Sequence, residues 1–285
     1  LVLFMQAGFA GLEMGFSRTK NAGTVVAKIM TNMSIAAICY WAVGFAFAFG
    51  SADVLGISSS IIGSNGFFLQ WAGNGSEAFP VMGLSDATVD SKFLFQFAFC
   101  AVSLAIVWGT TLERIKFGAY LIYAVVFSSV IYPIISHWIF GGGWLQVNFG
   151  MQDFAGSTVI HLIGATGALA ALLLLGPRLG KYGRDGKPNV IPGHSMPLVG
   201  LGVLLLFFGW MGFNPASWLS AIGSAWGWYG GCVCPRAMIT RSRTRTQPPG
   251  SGVYSHLWGS KAIESARSMP AKSGRRSSAS IAGPP

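Results

Sequence analysis

Residues 93–112 read FLFQFAFCAVSLAIVWGTTL, an unbroken stretch of 20 residues without a charged side chain. A helix needs about 20 mostly apolar residues to cross the ~30 Å hydrocarbon core of a bilayer. Hydrocarbon offers the backbone no hydrogen bonds, so such a segment pairs its own N–H and C=O groups by forming a helix. The stretch therefore predicts a membrane-spanning helix.

Four more long apolar segments cover residues 24–49, 117–140, 154–176 and 196–213, and a shorter one covers residues 1–12. Lys28 is the only Asp, Glu, Lys or Arg in the long segments. Its place near one end predicts that its ammonium group reaches the membrane interface. The pattern predicts an all-α polytopic membrane protein, and we expect the start of its first helix to be missing from the chain.

Composition excludes a soluble domain. Of 285 residues, 52% are hydrophobic and 10% charged, whereas soluble domains carry about 25% charged residues. The net charge of +10 is also unevenly distributed. Residues 1–220 hold ten Lys or Arg and eight Asp or Glu, a net +2, and residues 221–285 hold nine and one, a net +8. The main body is therefore not a basic nucleic-acid-binding protein.

The connections between the predicted helices alternate in charge. No Lys or Arg occurs at residues 50–90 or 141–152. The other connections carry basic residues, namely Arg18 and Lys20, then Arg114 and Lys116, then Arg178, Lys181, Arg184 and Lys187. Because cytoplasmic loops carry the excess of Lys and Arg, the acidic loop at residues 50–90 is predicted to lie outside the cell.

Residues 221–285 differ in character from the main body. They include TRSRTRT at 240–246 and KSGRRSSAS at 272–280, and Ser, Arg, Pro and Gly dominate. Such a segment buries too little apolar surface to offset its ordering entropy. It is either a basic tail attracted to anionic lipid or an out-of-frame translation, which we favour. Cys232 and Cys234 form a lone C-x-C, so we expect no metal site and no cofactor.

Two polar residues mark the fifth predicted helix. Asp153 precedes FAGSTVI, where it is expected to cap the helix. The same carboxylate could also attract a cation to the outer mouth, and the two roles are compatible.

His161 lies near the middle of the segment, and it either lines a pore as a neutral imidazole or bonds to a neighbouring helix. By three- and four-residue spacing, Thr158 and His161 are expected to share a helical face with Phe154 and Ala165. Eight residues of helical rise, about 12 Å, separate Asp153 from His161, which argues against a membrane enzyme built on this pair.

Aromatic residues gather at the predicted outer ends of three helices. Phe95 and Phe99 are one turn apart, HWIFGGGW ends the segment at 117–140, and GWMGFNPAS ends the one at 196–213. Singly, each ring is expected to anchor the protein at the membrane interface. Together, the rings could hold a small cation by its attraction to the π face.

Five motifs carry a resemblance to a known family. They are MQAGFAGLEMGFSRTKN at residues 5–21, LERIKF at 112–117, GGGW at 141–144, DFAGSTVIH at 153–161 and GWMGFNPAS at 209–217. In this order and spacing they resemble the signatures of the ammonium transporter family, over about the first 220 residues. The resemblance implies a helical bundle of two inverted repeats, of which residues 1–220 supply the first repeat and one helix of the second.

The resemblance also implies roles for single residues. Phe99 and Phe213 match the stacked pair that closes the pore from outside, and His161 matches the first of two pore histidines, with Trp210 lining the pore beside it.

The implied outer site binds ammonium through Phe99, Phe140, Ser217 and Asp153. Ser217 matches a hydroxyl that accepts a hydrogen bond from the ion, and Asp153 matches an acidic residue beneath it. Phe140 stands where the family usually has Trp, so a weaker attraction for the cation is expected.

The implied activity is transport of ammonium, with methylammonium as an analogue. The ion is recruited at the outer site and loses its proton, and ammonia then passes the pore histidines, with no enzymatic step. A homotrimer in the cell membrane and a PII-type regulatory partner at the cytoplasmic loops are further implications. Since His256 lies outside any apolar segment, no second pore histidine is assigned, and we expect the chain not to conduct ammonium by itself. The alternatives are a sensor-like relative and a non-functional remnant.

Overall fold

The computed structural model describes residues 1–51, 60–71, 75–84 and 87–217, all within one compact unit, Leu1–Cys232. In this part of the chain the helices are joined by loops, and the only strand-like pairing is an isolated bridge between Tyr182 and Pro188. Five helical segments are long and apolar enough to cross a membrane: Thr19–Phe49, Val89–Thr110, Phe117–Phe149, Ser157–Leu175 and Met196–Pro215. The predicted all-α membrane architecture is confirmed. The prediction for residues 221–285 lies outside the described residues.

The bundle consists of six helices within the described ranges. Three are regular: α1 covers Phe4–Phe16, α3 covers Val89–Thr110 and α6 covers Met196–Ala216. Three contain a π-helical turn: α2 covers residues 22–49, α4 covers residues 117–140 and α5 covers Ser157–Leu175. Short helices lie in the connections at Thr19–Asn21, Phe67–Leu69, Gly75–Ala78, Pro80–Leu84 and Trp144–Phe149.

The π-helical turns are at Tyr40–Gly44, Phe127–Ile131 and Ser157–Leu162. In α2 the turn separates two α-helical parts, Ala22–Cys39 and Phe45–Phe49. In α4 it separates Phe117–Val126 from Tyr132–Phe140. In α5 it comes before the α-helical part Ile163–Leu175. The turn in α5 corrects the expected helical face of His161. Its backbone N–H donates to the carbonyl of Gly156, five residues earlier, at 3.1 Å, so three- and four-residue spacing does not define the face here. Such turns are frequent at functional sites.

Glycines allow α1 and α6 to approach backbone to backbone. A Cβ at Gly8 would lie 2.7 Å from Cγ of Leu206 and 2.8 Å from its backbone nitrogen. A Cβ at Gly202 would collide with the backbone nitrogen of Leu12. Small residues at both surfaces are the usual means of close helix packing in membranes, and here they fix the position of α6 against α1.

Small residues on α5 allow this helix to pack closely against α3. A Cβ at Gly164 would lie 2.8 Å from the carbonyl oxygen of Ser103, and the Ser103 hydroxyl donates to the carbonyl of Ile160 at 2.8 Å. Ala168 is buried and Ala171 half-buried. The contact holds the polar turn of α5 against the same helix that carries Phe99.

Lys28 is enclosed by protein. The residue is 3% exposed, and the prediction that its ammonium group reaches the membrane interface stays a prediction. The Nζ atom donates to the carbonyl of Ile115 at 3.3 Å and lies 3.9 Å from the centroid of the Trp108 ring. An internal carbonyl and an aromatic face replace the water that the charge would otherwise need.

Contacts between distant loops agree with the predicted orientation. Arg18 and Arg178, from two of the basic connections, both pair with Glu113 in the third. At the opposite end of the bundle, the backbone N–H of Trp144 donates to the carbonyl of Ser60 at 2.9 Å. The three basic connections therefore share one end, as a cytoplasmic location requires.

Candidate functional site

Two phenylalanine rings from different helices stack at the centre of the site. Phe99 on α3 and Phe213 on α6 have ring centroids 4.5 Å apart at an interplanar angle of 23°. Each residue is 1% exposed, and Phe95 packs against Phe99 at 4.3 Å. Stacked rings packed this tightly leave no open passage between them, so they can act as an apolar barrier whose side chains must rotate to let a molecule through.

His161 lies on the cytoplasmic side of the stacked pair. Its ring centroid is 5.7 Å from that of Phe213 and 6.2 Å from that of Trp210, with interplanar angles of 39° and 22°. Because α6 begins near the cytoplasmic end, where the backbone N–H of Ser195 donates to Gly15, Trp210 lies inward of Phe213. The sequence had left His161 open between a pore and a bond to a neighbouring helix. Its closest described ring partners are these two aromatic side chains.

The hydroxyl of Ser217 has its hydrogen committed to the backbone. Its Oγ donates to the carbonyl oxygen of Phe213 at 2.6 Å, a turn back along α6. A hydroxyl has one donor and two acceptor lone pairs. With the donor used, the oxygen presents only acceptor character outward, which suits an N–H donor such as an ammonium ion.

Asp153 holds the start of α5 together. Its Oδ1 accepts from the backbone N–H groups of Gly156 and Ser157 at 2.9 and 3.0 Å, and from the Ser157 hydroxyl at 3.2 Å. Its Oδ2 accepts from the backbone N–H groups of Thr158 and Val159 at 2.8 and 2.9 Å. The capping role is therefore present in full. A carboxylate has about four lone-pair positions, so little capacity remains for direct contact with a cation, and its influence on an ion would act through its charge.

The structure does not bring Phe140 into the stacked pair. Phe140 ends α4 and is partly buried against the core, and none of its ring contacts within the described residues joins it to Phe99 or Phe213. Its predicted place in the outer site stays a prediction.

Two acidic residues that the sequence analysis did not single out have buried carboxylates. Glu13 interrupts the apolar face of α1 and is 3% exposed. Glu113 joins three connections through Arg18, Asn21 and Arg178. Glu13 directly follows the apolar segment at residues 1–12 and is followed by the apolar residues Met14 to Phe16, so it was recognisable as an ionisable residue in apolar surroundings. The role of Glu113 was not, because all its partners are distant in sequence.

The chain matches known proteins over most of the described residues. The sequence model described as the Ammonium Transporter Family matches residues 1–240. Ammonium transporter Amt2 of Archaeoglobus fulgidus is 46% identical over 230 residues, which cover 78% of this chain and 46% of that protein. Ammonium transporter 3 of Dictyostelium discoideum is 37% identical over 217 residues, covering 75% of this chain and 46% of that protein.

Solved structures show the same architecture. A protein titled "Sensor Amt Protein" superposes with a TM-score of 0.69 at 35% identity, covering 79% of this chain and 53% of that one. Saccharomyces cerevisiae Mep2 superposes with a TM-score of 0.64 at 29% identity, covering 79% of this chain and 48% of that one. The chain thus spans about half the length of the relatives that it matches.

Proposed function

Because the chain belongs to the Ammonium Transporter Family, we propose that it supplies part of a protein that carries ammonium nitrogen across the cytoplasmic membrane. The observation that carries this proposal is the stack of Phe99 on Phe213 directly outside His161. A barrier of this kind beside an imidazole suits a substrate that is recruited as a cation and crosses as a neutral molecule.

The chemistry of the site divides the passage into two stages. At the outer mouth, the acceptor oxygen of Ser217 and the π faces near it attract ammonium, and Asp153 adds a negative charge without direct contact. Beyond the rings, an unpaired cation would lose its hydration in apolar surroundings at high cost. Ammonium therefore gives its proton to water at the outer mouth, near Phe99 and Phe213, and ammonia passes His161, whose ring nitrogens exchange hydrogen bonds with it.

Several features of the whole protein belong to the same proposal. A second pore histidine would come from outside residues 1–217. A homotrimer with a pore in each subunit, and a PII-type regulatory protein at the basic cytoplasmic connections, are proposed on the family resemblance alone. The protein is a transporter and not an enzyme, since no covalent bond to carbon or phosphorus has to change. A sensor is not favoured, because the curated relatives above are named as transporters.

A chimaera tests the proposed function. Residues 1–217 of this chain are joined to the second half of the Archaeoglobus fulgidus transporter and expressed in cells that lack their own ammonium transporters. Saturable uptake of labelled methylammonium is expected, and replacing His161 with Ala should reduce it. A chimaera that reaches the membrane without uptake would contradict the proposal. The 285-residue chain alone serves as the comparison and is expected to give no uptake.

Replacing Phe140 with Trp is expected to tighten ammonium binding by roughly threefold to tenfold, because Trp offers the strongest π face to a cation. The half-saturation concentration for methylammonium uptake by the chimaera measures the effect. Phe140→Leu, which removes the π face and keeps apolar bulk, should weaken binding. Equal affinities for all three side chains would remove Phe140 from the outer site.

A further inference from the structure

A cavity of about 380 Å³ lies at the cytoplasmic end of the bundle, between α1, α3 and the connection from α5 to α6. Its walls include Glu13 of α1, Ile106 and Gly109 of α3, and Arg178 of the connection. The volume exceeds what a single small ion needs, and water can fill the rest.

The cavity lies inward of the site already described. Ile106 and Gly109 follow Phe99 on α3 by about 10 and 15 Å of helical rise. Ile106 also contacts α5, since a Cβ at Gly164 would be 3.0 Å from its Cβ. Gly164 is three residues past His161 toward the cytoplasmic end, so the cavity begins about one helical turn beyond the imidazole.

Glu13 brings an uncompensated carboxylate to this cavity. Only 3% of the residue is exposed. Its Oε2 has no hydrogen-bond partner within bonding distance among the described residues. The other oxygen faces α3 closely, because a Cβ at Gly109 would lie 2.6 Å from Oε1. The carboxyl thus occupies space that only a glycine leaves open, and Glu13 is one of the residues that line the cavity.

The nearby charged groups are engaged elsewhere. The Nζ of Lys28 donates to the carbonyl of Ile115 at 3.3 Å and lies over the Trp108 ring. Arg178 pairs with Glu113 at 3.5 Å. Neither cation is within ion-pair distance of Glu13 in the part of the chain that the structure describes. The buried indole N–H of Trp108 is the polar group that faces the Glu13 carboxyl, and as a neutral donor it leaves the negative charge in place.

We propose that Glu13 and this cavity form a cytoplasmic binding site for one ammonium ion, which rests on the proposed function above. An ionised carboxylate is retained in an apolar bundle only when it is paired or neutralised. A small cation in the cavity that donates a hydrogen bond to the Glu13 carboxylate and others to water meets that need. Ammonia that has passed His161 takes a proton from water at this end, which leaves hydroxide in the cytoplasmic solution, and the resulting ammonium ion binds at Glu13 before it leaves.

The first test measures binding to the full chain in lipid nanodiscs. Ammonium chloride is titrated against sodium chloride at constant ionic strength, with calorimetry for stoichiometry and infrared difference spectroscopy for carboxylate bands. Glu13→Gln, which keeps the shape and removes the charge, is expected to weaken one class of ammonium site by roughly tenfold to a hundredfold. The ammonium-dependent carboxylate signal should disappear in the same variant.

A second variant keeps the charge and moves it. Gly109→Ala places a Cβ against Oε1 of Glu13, so the carboxylate has to shift and the cytoplasmic site should weaken while Glu13 remains. Gly118→Ala is the matched control, because a Cβ there meets nothing within 4 Å. If Glu13→Gln does not fold, this pair of alanine variants still tests the proposal.

The outcomes separate this inference from the proposed function. Ser217→Ala should weaken a different class of site at the outer mouth and leave the carboxylate signal intact. If ammonium binds only at the Ser217-dependent site, and Glu13 does not respond to it, the cytoplasmic site is wrong and the transport proposal stands. If neither class of site binds ammonium, both are wrong.

Discussion

Replacing Asp153 with Ala is expected to lower the free energy of unfolding by roughly 3 kcal/mol, an effect above that of an ordinary helix cap. The carboxylate accepts from the backbone N–H groups of four consecutive residues and from one hydroxyl. Since these donors open a helix with a π-helical turn, they have few intrahelical acceptors. Thermal unfolding of the purified chain in detergent measures the loss.

Two further variants make the Asp153 prediction specific. Asp153→Asn keeps one acceptor oxygen and should lie between the wild type and Asp153→Ala. Asp185→Ala is the control, because its side chain is 58% exposed and its ion pair with Lys187 spans 3.9 Å, so a change within about 0.5 kcal/mol is expected. If Asp153→Ala is as stable as this control, the capping bonds contribute nothing measurable.

Replacing Glu113 with Gln is expected to cost roughly 2–3 kcal/mol of unfolding free energy. The side chain is 1% exposed and pairs with Arg18 at 3.0 Å and Arg178 at 3.5 Å. It also accepts from the Arg18 backbone N–H at 2.8 Å and from Asn21 at 2.7 Å. Gln keeps the shape but removes the charge that joins the three cytoplasmic connections.

The Glu113 contribution has a defined pH dependence. Burial would raise the pKa of this carboxyl, but hydrogen bonds from the Arg18 backbone, the Arg18 side chain and Asn21, together with the Arg18 charge, lower the pKa from 4.5 to about 2. The unfolded chain therefore takes up the proton first as the pH falls. The stabilisation is complete above pH 4.5 and disappears as the pH falls toward about 2.

Comparison across pH tests this assignment. The stability difference between the wild type and Glu113→Gln should be constant above pH 4.5 and should shrink below it. Arg18→Gln should cost more than Arg178→Gln, because Arg18 makes the shorter contacts. Lys187→Gln, at the exposed pair with Asp185, is the control and should change stability by about 0–1 kcal/mol. A pH-independent difference between wild type and Glu113→Gln would contradict the low pKa.

The site was only partly predictable from the sequence. Asp153 was expected at the start of α5 because caps are local, and its capping bonds are confirmed. Phe99 and Phe213 entered through the family resemblance, and no pattern in either segment required their rings to meet. The spacing argument for the face of His161 failed because it assumed α-helical geometry, whereas His161 lies in a π-helical turn. Such a turn has no simple signature in composition. The partners of Lys28 were not predictable either, because the carbonyl of Ile115 and the Trp108 ring belong to other segments.

The spans and their helical nature followed from the amino-acid sequence, which also predicts the side of the membrane on which each connection lies. Those properties depend on the length and polarity of single segments in contact with lipid or water, so they can be predicted from each segment alone. The packed structure was needed to show which side chains meet: Phe99 stacks on Phe213, Glu113 joins three connections, and the Glu13 carboxyl is buried without an ion-pair partner among the described residues. These depend on how closely helices approach, which glycine positions such as Gly202 and Gly109 control, and that distance exists only after the helices have packed.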